Sequence, residues 1–84
     1  DIAFKAEPGD RVSVWPLGFQ AFQGSTGLKW ALDGLQMEAG RLIGTSNVAA
    51  GGTVRINAGF GDGYALIMPR KAAQSLINAA LDGA

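Results

Sequence analysis

Neither cysteine nor histidine occurs anywhere in the 84 residues. A disulfide framework and a zinc staple, the usual supports of a domain this small, are therefore closed to the fold. A single core supplies only about 3–5 kcal/mol at this length, and the chain is too short to divide into two cores. Residues 1–84 read as one domain whose stability rests on apolar packing, supplemented by association with itself or with another protein chain. The same absence removes chemistry. Histidine is the usual proton shuttle near neutral pH and cysteine the strongest neutral-pH nucleophile. Without them no metal site, no cofactor and no catalytic residues are expected, and the chain reads as a non-enzyme.

Seven basic and seven acidic residues give a formal net charge of zero, and charged residues make up 17% of the chain. An ordinary globular domain carries about 25%. That shortage leaves less charged surface than usual, as a buried subunit interface would. No block of like charge exists to act as a nucleic-acid arm or an acidic tail. No apolar run approaches the roughly 20 residues of a membrane-spanning helix. The chain starts at Asp1, which reads as the start of a processed protein and leans towards export.

Turn chemistry divides the chain into short pieces. Glu7-Pro8-Gly9-Asp10 has proline and glycine where a type II turn needs them, and predicts a hairpin between Ile2–Ala6 and Arg11–Trp15. Within the second piece Val12 and Val14 share one face and Trp15 takes the other. Pro16 removes a backbone donor, so the strand must bend, bulge or lie at an edge there. From Leu17 to Phe22 the alternation sets Leu17, Phe19 and Ala21 against Gly18, Gln20 and Phe22. Residues 28–39 fit either a helix, through Leu28, Ala31, Leu32 and Leu35, or a hairpin turning at Asp33-Gly34. The hairpin is preferred, because it pairs Leu32 with Leu35, Trp30 with Met37 and Leu28 with Ala39. A glycine would also cost a helix interior about 1 kcal/mol.

Arg41 to Val48 is strand-like with a soft centre at Gly44–Asn47. Thr53 to Ala58 alternates with Val54 and Ile56 inward, Gly59–Gly63 predicts a loop, and Tyr64–Met68 a strand. Pro69 opens a helix to about Leu81, with Ala73, Leu76, Ile77 and Ala80 as its apolar stripe and Gly83 as its cap. The fold class expected is α+β: a small antiparallel sheet of short hairpin-linked strands closed by one C-terminal helix.

Several constellations imitate function. Gly59-x-Gly61-x-Gly63 lacks the spacing and the following helix of a dinucleotide fingerprint. Asp10, Asp33, Asp62 and Asp82 each lie beside a glycine or inside a turn, where aspartate caps backbone amides. Lys71 and Ser75 lie one helical turn apart, on what reads as the solvated face. The aromatic residues carry more weight. Trp15, Phe19, Phe22 and Trp30 fall on opposite faces of the predicted strands, so one core cannot hold them all, and they are the interface candidates. The function expected is a non-catalytic interaction or assembly module, a homo-oligomer or a small subunit of a larger complex. The alternative is single-stranded nucleic-acid binding, with Lys5, Arg11, Lys29 and Arg55 interleaved among sheet aromatics. The succession of hairpins, strand and proline-started helix resembles the plan of small single-strand nucleic-acid-binding coactivator domains. Small secreted and phage structural proteins share that outline, and no motif carries functional residues across.

Overall fold

A computed structural model describes residues 1–40 and 47–82, Asp82 by its backbone alone. The elements run β1 (Ile2–Ala6), β2 (Ser13–Pro16), β3 (Phe19–Thr26), β4 (Gln36–Glu38), β5 (Gly52–Gly61), β6 (Tyr64–Ile67) and α1 (Arg70–Asp82). Four strands form an antiparallel sheet in the order β1-β5-β3-β4, and β2 pairs antiparallel with β6 in a second sheet. The expected α+β class, antiparallel sheets of short strands with one C-terminal helix, holds.

The first hairpin does not form. Its turn is present: the Asp10 N–H donates to the Glu7 carbonyl at 3.0 Å, and Gly9 has φ 85°. The two strands nevertheless part into different sheets, with Phe4 opposite Val54 and Val14 opposite Leu66. Phe4 and Val14 thereby enter one core from two sheets, joined by Val12, Phe22, Leu32, Met37, Ala49, Val54, Ile56 and Ala72. Burial across a sandwich outweighs local pairing in a chain with this little core to spend. The inward assignments of Val12, Val14, Val54 and Ile56 hold, each being fully buried.

Residues 28–39 form neither a helix nor the expected strand pair. The turn at Asp33-Gly34 exists, closed by the Leu35 N–H on the Leu32 carbonyl at 3.0 Å, with Gly34 at φ 71°. Asp33 does not have positive φ, so the turn carries the signature of type II rather than type I′. After it, β4 pairs with β3, Met37 opposite Gln20, while Leu28 bridges Ala49. Trp30 therefore has no cross-strand partner in Met37. Gly59 and Gly61 lie within β5 rather than in a loop. The strand runs on because a buried side chain holds it: Gln20 Nε2 donates to the Gly59 carbonyl at 3.1 Å, and Gln20 Oε1 accepts the Gly63 N–H at 2.9 Å. The β3–β5 register shifts on both sides of Phe22, and the Gln20 amide replaces ladder bonds that the bulge removes.

The helix starts one residue later than expected, with the Pro69 carbonyl accepting the Ala73 N–H at 3.0 Å. It docks by its first two turns. Ala72 is buried, Ser75 and Leu76 are half-buried, and Ile77 and Leu81 are exposed. Ser75 Oγ accepts the Lys5 backbone N–H at 3.0 Å, so the helix covers the free edge of β1. Of the strand-like reading at Arg41 to Val48, residues 41–46 lie outside the described residues, as does the Gly83 cap.

Candidate functional site

The loop after β3 is built around Asn47, which is 4% exposed. Its Oδ1 accepts the Trp30 N–H at 3.2 Å and the Val48 N–H at 3.0 Å, and its Nδ2 donates to the Trp30 carbonyl at 2.8 Å. Both backbone polar groups of Trp30 are thus held by one amide. The Lys29 N–H donates to the Val48 carbonyl at 2.9 Å, and the Ala50 N–H to the Gly27 carbonyl at 2.7 Å. From the other side the Leu32 N–H donates to Ser25 Oγ at 2.8 Å, and the Ser25 N–H to Asp33 Oδ1 at 2.9 Å. Leu32 is the loop's apolar anchor, 1% exposed.

Against this hydrogen-bonded frame the Trp30 ring stands 52% exposed. Trp15 and Phe60 are exposed too, on β2 and β5; what sets Trp30 apart is that one buried amide holds both its backbone N–H and its carbonyl. Nothing in the core needs the ring. Lys29 Nζ lies 4.6 Å from the ring centroid, a cation–π distance. The loop presents an electron-rich face that already attracts a cation.

The other expected site residues are dispersed. Trp15 is exposed on β2, opposite Ala65. Phe19 lies 6.3 Å from the exposed Phe60 ring. Phe22 faces inward, 3% exposed and edge-on to Tyr64 at 5.1 Å, so this interface candidate is a core residue. Burial pushes the Tyr64 hydroxyl above its ordinary pKa. Lys5 is on β1 and Arg55 on β5, and Arg11 Nε donates to Ser13 Oγ at 2.6 Å just before β2. Of the turn aspartates, Asp10 accepts a nearby amide, the Glu7 N–H, as expected, whereas Asp33 and Asp62 accept the N–H groups of Ser25 and Phe19 from farther along the chain. Asp82 has no described side chain. Among the described residues no three potential metal ligands converge.

Two hollows flank these elements. A polar one of about 300 Å³ lies over β3 and β5, lined by Ser25, Asp33, Arg55 and Asn57 among others. An apolar groove of about 610 Å³ runs between β6 and the helix, lined by Tyr64, Leu66, Met68 and Leu76 among others. Residues 1–60 match the family model "Thiamin pyrophosphokinase, vitamin B1 binding domain". The chain belongs to that family. No curated protein and no solved structure matches it.

The family overturns the expected function. A non-catalytic assembly module, and the nucleic-acid alternative with it, give way to the vitamin B1 binding domain of an enzyme family. The reading erred because no motif pointed to a small-molecule ligand, and the aromatics were weighed only as interface area or as a nucleic-acid stacking surface. Asn47 was missed altogether. Its sequence neighbourhood, Gly-Thr-Ser-Asn, reads as the soft centre of a strand, and no local signal marks an asparagine that holds the backbone of a residue 17 positions away. The matched segment contains Trp30, Asn47 and the polar hollow. The apolar groove, apart from Ile2, is lined by residues beyond it.

Proposed function

We propose that this vitamin B1 binding domain binds thiamin, with the Trp30 ring as its stacking platform and Asn47 as the brace that fixes it. The observation that carries the reading is the exposed indole clamped through both backbone groups by a buried amide. Thiamin joins a flat aminopyrimidine to a positively charged thiazolium. Both halves suit an indole face, the first by stacking and the second by cation–π attraction. Flat heterocycles stacked on an aromatic side chain gain about 1–3 kcal/mol each. Transfer of a pyrophosphoryl group is a separate requirement, met in phosphoryl-transfer enzymes by metal ions and the residues that hold them. In this reading the chain supplies vitamin recognition, and the transfer machinery is contributed by other residues of the enzyme.

Calorimetric titration of the chain with thiamin, beside Trp30→Ala, tests the assignment. Saturable 1:1 binding is expected, weakened about tenfold or more in the variant, as loss of stacking of this size requires. Equal affinities would reject Trp30 as the platform.

A further inference from the structure

We infer that Asp33-Gly34 is a site of spontaneous backbone isomerisation to isoaspartate, and that the fold withholds the same reaction from Asp62-Gly63. The sequence contains three Asp-Gly pairs, the third being Asp82-Gly83, which reaches past the described residues. Glycine leaves the backbone nitrogen open to a neighbouring carboxyl, because it has no Cβ to shield it. In the reaction the Gly34 nitrogen attacks Asp33 Cγ. A C–N bond forms, the carboxyl C–O bond breaks, and the oxygen leaves as water with the carboxyl and amide protons. Water then reopens the five-membered imide. Cleavage of the new bond restores aspartate. Cleavage of the original peptide bond leaves the chain running through Cβ and Cγ, with the α-carboxylate as the side group.

The two described pairs hold their carboxylates alike. Asp33 Oδ1 accepts the Ser25 N–H at 2.9 Å, and Asp62 Oδ2 the Phe19 N–H at 3.0 Å. What differs is the nitrogen and its freedom to turn. Asp33 and Gly34 are both exposed, and the Gly34 N–H has no partner among the described residues. Ring closure must rotate the Asp33–Gly34 peptide, and a Cβ at Gly34 would meet nothing within 4 Å. The rotation breaks one turn bond, Leu35 N–H to the Leu32 carbonyl. At the other pair the Gly63 N–H donates to the buried Gln20 Oε1 at 2.9 Å. The Gly63 carbonyl accepts the Leu17 N–H at 2.9 Å, and the Asp62 N–H donates to the Phe19 carbonyl at 2.8 Å. Attack there must first open a buried hydrogen bond. Isomerisation at Asp33 lengthens the backbone by one methylene, so the Ser25 and Leu35 bonds cannot both persist. Both bonds bracket the buried anchor Leu32, and an aged molecule is therefore less stable, whether or not thiamin stacks on Trp30.

The chain is aged in mildly acidic buffer, folded and in urea, then cut with trypsin. Peptides 30–41 and 56–70 carry the two sites separately, and isoaspartate appears as an unchanged mass at a shifted retention time. In the folded chain it should accumulate about tenfold or more faster in 30–41 than in 56–70, the factor carried by one buried hydrogen bond. In urea the two rates should converge. Asp33→Glu, whose ring would need six members, should abolish the shifted form of 30–41. Protein aged at Asp33 should melt below fresh protein. Equal folded rates, or a faster rate in 56–70, would overturn the inference. A contrast as large in urea as in the folded chain would trace it to local sequence and remove the part given to the fold. Equal melting temperatures would overturn the loss of stability.

Discussion

Asn47→Ala should damage the loop more than any exposed substitution in the chain. The side chain makes three hydrogen bonds, to the Trp30 N–H, the Trp30 carbonyl and the Val48 N–H. A hydrogen bond contributes about 0.5–1.5 kcal/mol net, and an abandoned buried partner costs about 1–3 kcal/mol. Trp30 is half in water, so its two groups recover part of their solvation, and the loss reduces to about 2–4 kcal/mol for the set. That is a large share of the 5–15 kcal/mol that holds a typical domain. Asn47→Asp sharpens the test. It keeps an acceptor for both N–H groups but sets a carboxylate oxygen against the Trp30 carbonyl, so it should cost nearly as much. Urea unfolding at constant m measures both. A loss below about 0.5 kcal/mol in either variant, less than a single ordinary hydrogen bond, would refute the view that Asn47 braces the platform.

Gly27 and Gly34 separate backbone strain from collision. Both have positive φ, 81° and 71°, where a side chain costs roughly 1–2 kcal/mol. A Cβ at Gly34 meets nothing within 4 Å, whereas at Gly27 it collides with the Thr53 carbonyl. Gly34→Ala should therefore lower stability by about 1 kcal/mol, and Gly27→Ala by distinctly more; equal losses in thermal unfolding would contradict the geometry. Tyr64 sets an alkaline limit. Its folded pKa is raised above the ordinary 10.0 by burial, so the unfolded chain loses that proton first and binds fewer protons in the window above pH 10. Stability from this group is full below the unfolded pKa and declines as pH rises through the folded one. Tyr64→Phe should flatten that decline in unfolding curves at successive pH values, and an unchanged profile would show that the hydroxyl is not responsible.

Elements with strong local signals were legible in the amino-acid order. Val54 and Ile56 alternate cleanly, Pro8-Gly9 and Asp33-Gly34 mark real turns, and Pro69 announces the helix. Pairing was not legible, because a turn only brings two strands close. Whether Ile2–Ala6 joins Arg11–Trp15 or the distant β5 depends on where Phe4 finds the deepest burial. The helix stripe was misplaced for a related reason: its contact with β1 ends after two turns, leaving Ile77 at 52% exposure. Trp30 was legible as an aromatic interface candidate, but the expected hairpin paired it with Met37 on one apolar face, so its exposure was not. Asn47 and Gln20 act on backbone far away in sequence, and long-range side-chain bonds leave no periodic trace.

The central claim is that thiamin meets the Trp30 ring. Trp15→Phe leaves Trp30 as the one tryptophan of the chain, so its fluorescence reports on that ring alone. Titration of this variant with thiamin should quench the emission saturably, with the same dissociation constant that calorimetry gives for the parent chain. Thiamin binding by calorimetry with Trp30 emission unchanged, or no binding at all to the folded protein, would contradict the account.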